Sequence, residues 1–288
     1  MMHLDVQKKL HRIKADDFHQ FFKQMRKLNL PQMIEFYGIK ESVAELVLPT
    51  VLLYEQLLNL VPAKEIIITA DRFIDGMQLL HIGNKTSADF RKSQEQELIS
   101  LFHCIGRHYA YDRKHVEQVE RLSLIIFDKL AKNYGMGEHE RLLLRGAAIL
   151  HDIGKYICMR SHSLYSYQLI MATDILGFSD YDKEIIAMAA YYHANKLYAP
   201  ENKKAPIVRK DMVAVVAKIA AIIRIADAMD RSYLQKIKGC NVIIKDNIMQ
   251  ILASCSVDMA LEEWTFTAKA DFFEEVYGLK ALLERVEE

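Results

Sequence analysis

Residues 150 to 168 set His151 beside Asp152 inside an apolar run and place His162 eleven positions further on. Imidazole nitrogen with carboxylate oxygen is a donor set for a divalent first-row ion. The apolar approach from Arg145 to Leu150 predicts a buried helix that would hold both side chains rigidly. Three further segments carry matching residue types, at His115, His193 and Asp227, each within a helix-like pattern. On one continuous helix, His151 and Asp152 would stand about 100° apart and approach a single ion from different sides. His115 and Asp227, from helices before and after, would complete a four-ligand site with room for water.

The elements that must position these residues read as helices. The pattern predicts helices near 88–110, 113–134, 138–157, 161–175, 180–195 and 210–235, separated by turn signals at 133–135, 177–180 and the Pro200 to Pro206 loop. The expected fold is mainly α, a helical bundle with small α/β flanking segments. Three parts are expected: 1–83, 84–236 as the all-α domain, and 237–288, with 83–88 as the linker.

In the first part, Phe18, Phe21, Phe22, Met25 and Leu28 predict a helix that Leu30-Pro31 ends. A second helix runs from about Lys40 to Leu60, with Pro49 as a kink or the true start, and Leu46, Val47, Leu53, Leu57, Leu58 and Val61 read as its core face. Lys64 to Ala70 reads as a strand, the one clear strand in the first 230 residues. It would pair with C-terminal strands or across a homodimer. In the third part, Cys240 to Ile244 and Ile248 to Leu252 read as a hairpin. Asp258 to Gly278 follows as an amphipathic helix with Trp264 as a packing anchor. The 197–210 loop, with Lys203, Lys204, Arg209 and Lys210 beside Lys196, reads as a solvated charged loop or, more sharply, a phosphate-attracting lid.

The 288 residues are 51% hydrophobic, ample for a sizeable core, and Lys plus Arg equals Asp plus Glu at 38 each. A zero formal charge argues against general nucleic-acid or membrane attraction, so any anion site must be local. Four cysteines without a Cys-x-x-Cys pair point to a reducing compartment. The charged N-terminus has no leader pattern, and Glu55, Lys218 and Arg224 break the most apolar stretches. The expectation is a soluble cytoplasmic protein with no membrane and no nucleic-acid partner.

The order His115, His151-Asp152, His162, His193, Asp227 resembles the HD-domain metal-dependent phosphohydrolase superfamily. More narrowly, the chain resembles the C-terminal half of the exopolyphosphatase / guanosine pentaphosphate phosphatase family. The residues that carry this are Leu150 to Tyr156, Arg160 to Ser163, Leu176 to Ser179, Tyr192-His193, Arg224 to Arg231 and Phe272 to Gly278. A weaker match over 20–80 resembles the tail of that family's N-terminal catalytic unit. The family's glycine-rich phosphate loops come earlier in its chain. Here there is no Gly-Gly pair and no Walker-type loop, so the chain is expected to lack that phosphate-loop region.

The resemblance implies one or two divalent ions, drawn from Mn, Mg, Fe, Co, Ni or Zn. His115, His151, Asp152 and Asp227 match the mononuclear pattern. His162 and His193 would serve a second ion with Asp152 bridging, as in dinuclear members, or contact phosphate as donors. Lys155, with Asp152 in the catalytic set, and Arg160 and Arg231 are candidate phosphate contacts, because a transferring phosphoryl group needs cations around its oxygens. Asp230 reads as a carboxylate orienting a ligand histidine or as a surface charge. The expected activity is hydrolysis of a phosphate ester or anhydride, with polyphosphate, a guanosine polyphosphate or a nucleotide as substrate. The alternative is a non-catalytic module that binds polyphosphate or nucleotide.

Overall fold

The computed structural model describes residues 10–69, 76–78, 80, 82, 87–194 and 206–286. The expected linker falls mostly outside these residues, as do Lys196, Lys203 and Lys204 of the expected lid. The chain is mostly helical and divides into two compact units, Met1–Ala88 and Asp89–Glu288.

In the first unit, β1 (Leu10–Lys14) leads into α1 (Ala15–Met25), α2 (Leu30–Tyr37), α3 (Glu41–Leu60) and β2 (Glu65–Thr69). β1 and β2 pair antiparallel from Leu10 opposite Thr69 to Lys14 opposite Glu65. The expected lone strand therefore has a partner inside its own unit, and the motive for pairing it across a dimer or with C-terminal strands falls away. β1 reads Leu-His-Arg-Ile-Lys, too short and polar to announce itself. Pro31 starts a helix instead of ending one. It lies in the first turn of α2, where a missing N–H costs nothing, and Asn29 caps that helix reciprocally with Gln32.

Ile13, Phe18, Met25, Met33 and Val51 form this unit's core. Val47 and Leu58 of α3 pack against it, but Leu46, Leu53, Leu57 and Val61 are exposed, contrary to the core face expected of them. α3 runs through Pro49 as one helix, long and apolar enough by composition to cross a membrane. Glu55 interrupts its apolar run, as expected. Glu55, 9% exposed, nevertheless packs inside the unit against His19 at 2.8 Å.

The second unit is built on α4 (Ala88–His108), α5 (Arg113–Leu130), α6 (Glu138–Leu150), a 3-10 turn (Ile153–Tyr156), α7 (His162–Ala172), α8 (Asp180–Tyr192) and α9 (Val213–Ala228). α9 is apolar on all sides, and it is buried on nearly all of them, as a central helix must be. α5, α6 and α8 present Leu122, Ile126, Leu144, Ile149 and Ile186 to the same core. Gly135-Met136-Gly137 forms the turn from α5 to α6, with Gly135 at φ +64°.

The C-terminal stretch joins that core. β3 (Gly239–Lys245) and β4 (Ile248–Ser254) form the expected hairpin, turning at Asp246 and Asn247, both with positive φ as a tight two-residue turn requires. α10 (Ala260–Tyr277) then crosses over to β5 (Lys280–Val286), which lies parallel to β4. Phe266 and Phe273 of α10, with Val242, Met249 and Ile251 of the sheet, pack into the core shared with α5 to α9. The tail is thus a hairpin extended by a β-α-β crossover, and Gly278 caps α10 at φ +66°.

Candidate functional site

Each of the six candidate ligands sits at or near a helix end. Asp112 caps α5 by accepting from the backbone N–H of His115, which fixes the first turn that carries this histidine. α6 stops at Leu150, so His151 caps its C-terminus and Asp152 enters the 3-10 turn at φ −108°, ψ 3°. The two are not on one continuous helix, as the spacing had suggested. The break bends Asp152 back toward His151, whose Nε2 lies 3.3 Å from its Oδ2. Buried Ser166 of α7 locks this bend, donating to the His151 carbonyl (2.7 Å) and accepting from Gly154 N–H (2.9 Å). Gly154 allows the approach, since a Cβ there would lie 2.0 Å from the His162 carbonyl oxygen. His162 opens α7, His193 caps the end of α8, and Asp227 lies in the last turn of α9.

The six side chains converge. Asp152 turns one oxygen to each of two groups. Its Oδ2 faces His115 Nε2 (3.7 Å) and His151 Nε2, while its Oδ1 faces His162 Nε2 (3.5 Å) and His193 Nε2 (3.9 Å). Asp227 Oδ1 adds to the first group, 3.3 Å from His115 Nε2 and 3.9 Å from His151 Nε2. Ligands about 2.1 Å from a shared ion lie roughly 3 to 3.5 Å apart, so both groups have the spacing of a centre that could hold a metal.

The outer ring nitrogens settle how the imidazoles are aimed. His151, His162 and His193 donate from Nδ1 to the carbonyls of Ala148 (2.7 Å), Met159 (3.0 Å) and Ala190 (2.5 Å). A carbonyl only accepts, so each Nδ1 holds a proton and each ring turns its Nε2 inward. His115 Nδ1 pairs with Asp230 Oδ2 at 2.9 Å, which makes Asp230 an orienting carboxylate and not a surface charge. His115 Nε2 and His151 Nε2 are buried without a hydrogen-bond partner; the 3.3 Å approach of Asp227 to His115 lacks hydrogen-bond geometry. Such an orphaned inward pair suits a cation it would face.

Charge is balanced by lysines. Lys155 contacts both Asp152 Oδ2 and the Tyr233 hydroxyl, and Lys269 Nζ lies 2.5 Å from Asp227 Oδ2. Burial works to raise the pKa of Asp152 and Asp227, but neighbouring positive charge, from His151 and Lys155 around Asp152 and from Lys269 beside Asp227, outweighs it and holds both carboxyls well below the usual range. Burial, reinforced by the charge of His151, pushes His193 down to about 3, and burial also lowers His162. Burial would lower His115 too, yet the facing Asp227 and Asp230 carboxylates prevail and raise it to about 9. Burial and the Asp152 charge raise Tyr233.

The cluster forms one wall of a cavity of about 850 Å³. Lys155, Arg231 and Lys269 line it, whereas exposed Arg160 is not among the lining residues, because the turn before α7 directs it to the surface. Arg209, the part of the expected lid that is described, pairs instead with Asp211 and Glu184. Trp264, expected to be a packing anchor, is 73% exposed and lines the cavity. Sequence reasoning missed Tyr233 and Lys269. Lys269 lies three to four residues from buried Thr265 and Phe266, on a different face of α10 from the one Trp264 was expected to anchor, and nothing local marks it as a partner of Asp227.

Residues 102–276, more than half of the chain, match the family described as Ppx/GppA phosphatase, domain III. A protein of Aeromonas hydrophila subsp. hydrophila, guanosine-5'-triphosphate,3'-diphosphate pyrophosphatase, is 25% identical over 152 residues, covering 50% of this chain. This chain spans 27% of that relative's length. The stretch matched by the family model runs from Phe102 in α4 to Val276 in α10 and so holds all six converging side chains, and the chain belongs to the Ppx/GppA phosphatase domain III family.

Proposed function

We propose that the second unit is a metal-dependent phosphohydrolase of HD type, acting on a phosphate ester or anhydride. The observation that carries this reading is the set of four inward Nε2 atoms arranged around the two oxygens of one buried carboxylate. His115, His151, Asp152 and Asp227 would hold one divalent ion, and His162, His193 and the second oxygen of Asp152 another. When bound, such ions supply positive charge for a phosphoryl group and a nucleophilic water at neutral pH.

The chain's own residues do the rest. The depressed His162 and His193 stay neutral under working conditions and present lone pairs. Asp152 and Asp227 stay ionised. Lys155, Lys269 and Arg231 put cations on the cavity wall where phosphoryl oxygens would lie. A compact cavity of about 850 Å³ suits a small phosphorylated molecule or the end of a polyphosphate chain. The name of the Aeromonas relative adds guanosine polyphosphates to the candidates.

A second reading has one observation in its favour. Both buried carboxylates already have an ammonium partner, Lys155 for Asp152 and Lys269 for Asp227, so charge is balanced without a metal. On that reading the unit is a non-catalytic binder of polyphosphate or nucleotide. Phosphate release from nucleotides, guanosine polyphosphates and polyphosphate, with Mn, Mg, Co or Ni added, separates the two. The enzyme reading expects metal-dependent release that Asp152→Ala abolishes. Polyphosphate or nucleotide binding with no turnover under any of these metals would overturn it in favour of the binder.

A further inference from the structure

The stretch joining α9 to β3 is backbone-strained beside the site. Tyr233 and Gln235 take φ of +61° and +46°, the left-handed region that a bulky L residue avoids and that glycine or asparagine would occupy more cheaply. Two buried carboxylates hold the chain there. Glu262 of α10, fully buried, accepts from Ser232 N–H (3.1 Å) and from Lys236 Nζ (3.0 Å). Asp230, 1% exposed, accepts from Gln235 N–H (2.8 Å) and Gln235 Nε2 (3.1 Å), and the same carboxylate receives His115 Nδ1.

This scaffold delivers one side chain to the cluster. The Tyr233 ring stacks on the His115 imidazole with centroids 3.8 Å apart and planes 18° from parallel. Its hydroxyl donates to Asp152 Oδ2 at 2.9 Å and also meets the Lys155 ammonium. A tyrosine kept where the backbone disfavours it, with both its ring and its hydroxyl ending on the cluster, is the signature of strain retained for a site.

We propose that Tyr233 is a positioning residue for the metal-binding cluster. It fixes the rotation of the Asp152 carboxylate, so that Oδ2 serves the His115 and His151 group while Oδ1 serves His162 and His193. It also clamps the face of the His115 ring whose edge Asp230 holds. Asp152 is the one side chain common to both groups, so its rotation decides whether both can form. This role rests on the metal reading given above.

The test uses Mn alone as the probe, with the full chain and two variants. Tyr233→Phe keeps the stacked ring and removes the hydroxyl; Glu262→Gln loosens the turn from a residue that does not contact the ligands. Both variants are expected to weaken Mn binding about tenfold, the size of effect seen when an outer partner of a metal ligand is removed. For Tyr233→Phe, kcat for phosphate release should fall while KM stays within about twofold, and the melting temperature without metal should stay within about 2 °C of the parent. If the parent binds Mn and Tyr233→Phe binds it within about twofold as tightly, the positioning role is overturned while the metal reading stands. A fall of about 10 °C in metal-free melting temperature for Tyr233→Phe would also overturn it, by showing a role in the fold. A parent that binds no Mn would sink both.

Discussion

Gly154→Ala is the sharpest mechanical probe of how the chain aims its candidate ligands. The added Cβ would sit 2.0 Å from the His162 carbonyl oxygen and 2.3 Å from Ser166 N, both backbone atoms that cannot rotate aside. Reaching ordinary contact, about 3.4 Å, requires α7 to retreat from the 3-10 turn by about 1.4 Å, the difference between 3.4 and 2.0 Å. That retreat breaks the two Ser166 bonds that lock the bend and carries His162 Nε2 from 3.5 Å to about 5 Å from Asp152 Oδ1. Overpacking against rigid backbone costs about 3 kcal/mol, which in a unit of this size lowers the melting temperature by roughly 6 to 12 °C. A ligand misplaced by more than 1 Å should reduce turnover about a hundredfold and cost the His162 and His193 group its ion. Thermal unfolding and metal stoichiometry on one preparation measure both. A melting temperature within 2 °C of the parent's and an unchanged stoichiometry would show that α7 is not the rigid strut described here.

Other expectations follow from the charges. Removing the ammonium in Lys269→Met leaves buried Asp227 without its lysine partner, so the metal-free protein should lose about 2 to 4 kcal/mol while added Mn restores much of it; equal loss with and without Mn would contradict the pairing. His115 is raised to about 9, so its contribution to metal-free stability is complete below about 6.5 and is lost as pH rises through about 9. Metal binding near pH 7.5 should accordingly release about one proton per chain, absent in His115→Gln, as calorimetry in buffers of different ionisation heat would read. Glu120 is buried between Arg145, 2.7 Å away, and His103; burial works to raise its pKa, but their hydrogen bonds outweigh that and lower it. Its contribution is therefore present above about 4.5 and lost as pH falls below it, and Glu120→Gln should flatten the acid limb of a stability profile while lowering stability at pH 7.

Much of the site was legible because metal-type donors announce themselves by residue type, and helices by their period. His115, His151, Asp152, His162, His193 and Asp227 could be picked out without knowing that His151 and Asp152 straddle a helix end. The break between them escaped notice because Ile153 and Gly154 continue an apolar pattern; it is Ser166, twelve residues after Gly154, that fixes the bend. Tyr233 was invisible for a similar reason. Its left-handed backbone is imposed by Glu262 and Asp230, and no turn-forming glycine or asparagine marks the spot. β1 and β5 were missed since Leu-His-Arg-Ile-Lys and Lys-Ala-Leu-Leu-Glu-Arg-Val carry charges that suit helix or loop, and only pairing with β2 and β4 makes them strands. On α3, hydrophobic residues were assigned to a core, yet several of them face outward within their unit.

Elemental analysis of the purified protein beside Asp152→Ala tests the central claim most directly, because Asp152 alone touches both histidine groups. The account predicts one or two divalent ions per parent chain and essentially none in the variant, with both proteins folded. A parent free of metal after purification and after dialysis against Mn, Co, Ni and Zn, or a variant that keeps the parent's full complement, would contradict it.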